Sequence, residues 1–89
     1  MLEKLKDMYQ LQKQARELQS RLGAERVEGT SRDGSFRVAL NGNQEVLSVS
    51  VSESADLGRE MVERNTKEAF TDALSKLKNL LASKMREMM

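Results

Sequence analysis

Glu60, Glu63 and Lys67 stand three and four residues apart, a spacing that would set two carboxylates and an amine on one helical face. That is the nearest approach to acid–base chemistry anywhere in the 89-residue chain. Nothing supports it. The chain has no histidine and no cysteine, so the common general base, the thiolate nucleophile and the usual transition-metal ligands are missing. The three residues read better as charge patterning on an exposed helix. Ser48, Ser50 and Ser52 alternate along one segment with no candidate base nearby in sequence. Gly29 and Gly34 have the separation of a phosphate-binding loop, but Ser35 follows where Lys and then Ser or Thr are required. The expectation is a protein that is no enzyme, takes no small-molecule substrate, and needs no cofactor or metal.

Binding is the other thing side chains do, and here the cations carry information. Net charge is only +1, yet it is unevenly spread. Residues 1–26 hold six basic and four acidic side chains, residues 27–58 two and five, and residues 59–89 seven and five. Both ends are therefore positive and the middle negative. Lys4, Lys6, Lys13 and Arg16 cluster near the start, and Lys76, Lys78, Lys84 and Arg86 near the end. If both termini meet at one tip, that tip attracts polyanions, with salt-dependent and largely sequence-independent contacts to phosphates. Lys4, Lys6, Lys13, Lys76, Lys78, Lys84 and Arg86 are the expected contacts. Tyr9, Phe36 and Phe70 are the only aromatics, too few for a base-stacking platform, which leaves duplex backbone as the nucleic-acid target. The competing reading is an adaptor whose helices grip a partner protein, the charges serving solubility alone.

The elements that would carry these residues follow from periodicity. Met8, Leu11, Ala15, Leu18 and Leu22 recur at alternating spacings of three and four, a heptad seam on a helix over about 1–24. Met1 extends the seam and Lys4 interrupts it; Leu2, Leu5 and Tyr9 make a second apolar stripe. Gly23 suits the helix end. Period two then takes over, predicting strands at about 26–31, 35–41 and 45–52, in which Phe36, Val38 and Leu40, and then Leu47, Val49 and Val51, share a buried face. Asp33-Gly34 and Asn41-Gly42 read as hairpin turns, the second of type I′. A last helix over about 57–88, capped by Ser54 or Asp56, should bury Met61, Val62, Ala69, Phe70, Ala73, Leu74, Leu77, Leu80, Leu81, Met85 and Met88. Ala69 and Ala73 leave room for close approach of a neighbouring backbone.

This is an α+β chain in the order α-β-β-β-α, a three-stranded antiparallel meander flanked by two long helices in one domain. A chain this short buries a marginal core. The seam is more apolar surface than one small sheet covers, so a second copy of the chain is the expected partner, with Met8, Leu11, Ala15, Leu18 and Leu22 as the seam between copies. No apolar run approaches a membrane span and the charged start is unlike a signal peptide, so a cytoplasmic protein is expected.

The stretches MYQLQKQARELQ, VEGTSRDGSFRVALNGNQEVLSVSVS and EAFTDALSKLKNLLASKMREM, in this order, resemble the bacterial YbaB/EbfC family of nucleoid-associated proteins. Val27-Glu28-Gly29 with Gly34, Asn41-Gly42, the Val49/Val51 strand and Ala69…Ala73 carry the resemblance over nearly the whole chain. It implies a homodimer whose sheets form the body and whose helices project like tweezers towards duplex DNA, in the nucleoid. The family has no fixed basic motif to match residue by residue. Many members carry a Gly/Met-rich leader and a Pro-containing tail, and DNA binding without a contribution from either is the expectation here.

Overall fold

The computed structural model describes residues 2–88, leaving the seam position at Met1 and the terminal Met89 outside, together with the side chain of Met88. The order is α1 (Leu2–Ala24), β1 (Arg26–Thr30), β2 (Phe36–Asn41), β3 (Val46–Val51) and α2 (Arg59–Met88). The strands form one antiparallel sheet in the order β1-β2-β3, as a meander requires. Phe36, Val38 and Leu40 face α2 and are buried with Ala69, Ala73 and Leu77. The room at Ala69 and Ala73 is taken by β1: Gly29 lies so close to both that a Cβ there would run into α2 backbone. Burial is thus set by backbone contact, and no larger residue fits at Gly29.

α2 packs over β1 and β2 and leaves β3 uncovered. Every β3 residue is accordingly exposed, with Val49 56% and Val51 44% accessible, although both share the face of Val38 and Phe36. The expected burial of Leu47, Val49 and Val51 therefore does not hold within one chain. A bulge between Ala39 and Leu40 also puts Val46, not Leu47, opposite Leu40. On α2, Leu74 is 50% and Met85 64% exposed, against expectation, because they lie on the side turned away from β1. Asn65 takes a core position instead.

Asn65 is there to hold a turn. Its amide donates to Asp33 Oδ2 (3.1 Å) and to Ser35 Oγ (3.2 Å). Asp33 Oδ1 accepts from the Ser35 N–H (2.9 Å), the Ser35 hydroxyl (2.7 Å) and the Ser31 hydroxyl (2.7 Å). These donors, the Ser35 backbone N–H foremost, hold the Asp33 carboxyl down at about 2 from an ordinary 3.8. A depressed carboxylate stabilises the fold fully above its unfolded value of 3.8, and that contribution disappears as pH falls through about 2. The melting temperature of Asp33→Asn, followed by circular dichroism, should fall less than the native one between pH 4 and pH 2. Parallel decline of the two would remove Asp33 from the acid response.

The second turn is not the two-residue type I′ expected of Asn41-Gly42. Positive φ falls on Gln44 (65°), while the Asn41 side chain accepts from Asn43 N–H (2.9 Å) and Glu45 N–H (3.0 Å). Gly42 is needed for proximity to α1: its N–H donates to Leu22 O at 2.8 Å, and a Cβ would stand 2.5 Å from that oxygen. At the start of α2, Asp56 accepts from Gly58 N–H (2.8 Å), two residues on, and Gly58 O takes the first helical bond from Val62. Neither Ser54 nor Asp56 caps the helix as expected.

Candidate nucleic-acid interface

α1 has no buried residue, and it touches the rest of the chain only near its C-terminal end. Its 23 residues make a rod about 35 Å long. With this rod attached at one end, the chain measures 63 × 20 × 18 Å. α2 runs antiparallel to β1 and ends beside the lower half of α1, where Lys84 and Glu87 face Gln14, Leu18, Arg21 and Leu22. The two termini therefore do not meet at a common tip. Because α2 is anchored on the sheet at Ala69 and Ala73, its last turn stops partway along α1, and residues 2–13 project alone.

This separates the seven expected contacts into two kinds. Lys4, Lys6 and Lys13 lie on the projecting rod, exposed. Among the described residues no ion pair involves any side chain of α1. Lys78 and Arg86 are likewise exposed and, among the described residues, outside the ion pairs. Lys76 is committed to the fold: its Nζ pairs with Asp72 (3.2 Å) and donates to Glu28 O (2.9 Å). Lys84 pairs with Glu25 (2.9 Å) and Glu87 (3.7 Å), and the Glu25 carboxylate raises its pKa above the ordinary 10.5.

Lys76 belongs to a closure of the β1 edge. Asp72 Oδ2 accepts from Thr30 N–H (3.0 Å), which with Lys76 lowers its pKa, and Glu68 Oε1 accepts from Arg32 N–H (3.3 Å). Side chains of α2 thus satisfy the Thr30 N–H and the Glu28 carbonyl on the outer edge of β1, and β3 is left as the open edge.

Around α1 the residues sort by spacing. Lys6, Tyr9, Lys13 and Arg16 follow one another at three, four and three residues, a single row with no carboxylate in it. Glu3 and Glu17 flank it. The seam of Met8, Leu11, Ala15, Leu18 and Leu22 runs along the opposite side, and Lys4 lies in line with that seam. Met8 and Leu11 are 59% and 65% exposed, whereas Leu18 and Leu22 are half-buried near the body. Arg16 was not among the expected contacts; its three-residue step from Lys13 is the signal that finds it. Among the described residues no group of His, Cys, Asp or Glu is arranged to hold a metal ion, and no helix is long and apolar enough to cross a membrane.

The fold and the chain both have known counterparts. The structure of an uncharacterized protein from Helicobacter pylori superposes with a TM-score of 0.75, covering 91% of this chain and 87% of that one at 16% identity. At that identity it shows a shared fold. A nucleoid-associated protein of Gloeothece citriformis is 39% identical over 80 residues, covering 89% of this chain and 70% of its own. Another, from Synechococcus sp. (strain RCC307), is 34% identical over 87 residues, covering 97% and 78%. The model of the YbaB/EbfC DNA-binding family matches residues 1–89, and this chain belongs to that family.

Proposed function

We propose that the protein works as a homodimer in the nucleoid, binding duplex DNA through backbone contacts made by its α1 arms, and so organising the nucleoid or influencing transcription. One observation carries this reading: α1 projects clear of the body with its cations in no ion pair among the described residues. Unpaired Lys and Arg on a rod are free to neutralise phosphates, whereas Lys76 and Lys84 would first have to leave carboxylates. The relatives named nucleoid-associated proteins support the same reading. Phosphate contact gives little sequence preference; any preference comes from groove shape and spacing.

The dimer is supported by the uncovered trough between β3 and α2. Val46, Val49, Val51 and Leu74 are large apolar side chains, all exposed around the open sheet edge. An isologous contact covers such a surface in both copies at once. The upper seam at Met8, Leu11 and Ala15 is a separate apolar surface, available to a second copy once arms come together.

Titrating a labelled random-sequence duplex at several salt concentrations tests the reading. Three cations from each of two arms predict a log–log slope near −5, on the scale of about 0.9 per phosphate neutralised. Absence of binding at low salt would leave the adaptor reading, in which the arms hold a protein.

A further inference from the structure

The direction of α1 is fixed by very little, and the parts that fix it come from elsewhere in the chain. A helix leaves its last carbonyls without intrahelical donors, to be satisfied by water, by its own continuing chain or by a foreign group. Here the β2–β3 turn supplies the foreign donors. Gly42 N–H donates to Leu22 O at 2.8 Å, alongside Glu25 N–H at 3.1 Å. The Asn43 side-chain amide donates to Gln19 O, one turn earlier, at 2.9 Å. Two bonds a turn apart on one side of a rod define its tilt as well as its position. Among the described residues the one ion pair that adds a tie from another element is Lys84–Glu25, just beyond the helix end, and Leu18 and Leu22 pack half-buried near the body.

The turn is built for this contact. Asn41 holds its interior by accepting from Asn43 and Glu45 N–H groups, which leaves the Asn43 side chain free to point at α1. Gln44 takes the left-handed conformation (φ 65°), so the glycine of the turn can sit where backbone meets backbone. Any Cβ at Gly42 would stand 3.0 Å from Leu22 Cα as well as pressing on its carbonyl oxygen.

We infer that Asn43 and Gly42 are positioning residues for the arm: they set the angle at which the cation row of α1 meets a duplex. The inference rests on the DNA-binding reading for its consequence, and on the turn geometry alone for its mechanism. An arm released from this mount swings, and binding then costs the ordering of a rod that the native protein holds ready.

Two measurements on the full chain test it. The chain has no cysteine, so Gln10→Cys with Glu53→Cys gives one label on the arm and one beyond β3. Diluted into excess unlabelled chain, this pair reports the intramolecular arm-to-sheet distance by pulsed electron spin resonance. Asn43→Ala should broaden that distribution and weaken random-duplex binding roughly three- to tenfold, while the salt slope stays unchanged because no cation is lost. Asn43→Asp, which sets an oxygen against Gln19 O, should do more, and Gly42→Ala should shift the mean distance. A slope that falls with affinity would make Asn43 a contact and overturn the positioning role, and an unaltered distribution in all three variants would overturn the mount. Failure of the native protein to bind any duplex would count against the functional reading alone, since the distance measurement does not depend on DNA.

Discussion

Asp placed at Val49 or Leu74 should convert the proposed dimer to a monomer without touching the core of the single chain. Both side chains are about half exposed in one protomer, at 56% and 50%, so neither substitution buries a charge within it. In an isologous dimer each substitution acts twice. A dimer buries only the exposed half of each side chain, so losing it costs about 1–1.5 kcal/mol, hence about 2–3 kcal/mol for the pair. That is roughly one to two decades in the dissociation constant. Sedimentation equilibrium over a concentration series reads the change directly. Asp at Ser48, on the opposite face of the same strand, is the matched control and should leave the dimer intact. A Leu74→Asp protein that sediments as the native one would remove the trough from the interface. If the isolated protomer is too small to stay folded, loss of the dimer appears instead as concentration-dependent unfolding, the behaviour of an obligate dimer.

The uncovered face of β3 marks the line between what local pattern reveals and what it does not. Alternation at Phe36, Val38 and Leu40 identified a face, and the face is the one α2 covers. The same alternation at Val49 and Val51 also identified a face correctly, but α2 is one helix wide and lies over β1 and β2. Which strand goes uncovered is decided by Gly29, where β1 comes into backbone contact with Ala69 and Ala73, and no period in β3 reports that. Leu74 follows from the same cause: on a helix anchored through Ala69, Ala73 and Leu77, position 74 points to the side. Asn65 was missed because an apolar pattern was sought, although it continues the row Ala73, Ala69 at the same four-residue step. Asn41-Gly42 was located correctly and misassigned in type. Gly42 serves proximity to Leu22, a contact between residues twenty apart that local turn chemistry does not contain. The seven cations were legible as charges, and i,i+4 spacing alone offers Asp72 to Lys76, but the Lys76 bond to Glu28 O and the Lys84 pair with Glu25 depend on where α2 comes to rest.

Neutralising Lys6, Lys13 and Arg16 together, as Gln, should abolish most DNA binding, whereas neutralising Lys76 and Lys84 should not. In the proposed dimer the first variant removes six charges from the two arms. At about 0.5 kcal/mol for each exposed charge contact, affinity at low salt falls by about 3 kcal/mol, roughly a hundredfold. The log–log salt slope should shrink by about 5, since each neutralised phosphate contributes about 0.9. Lys76 and Lys84 already have carboxylate partners at 3.2 and 2.9 Å, so removing them leaves Asp72 and Glu25 unpaired and should lower the melting temperature more than the affinity. Lys4 supplies an internal comparison. It shares the rod with Lys6 but lies in line with the seam, so Lys4→Gln should change the slope less than Lys6→Gln. If the six substitutions instead lower affinity and slope in proportion to charge alone, binding responds to the overall field of the protein. Direction on the arm would then carry no information. A slope that follows position, large along the row at residues 6, 13 and 16 and small elsewhere, is what a duplex lying against one face of α1 requires.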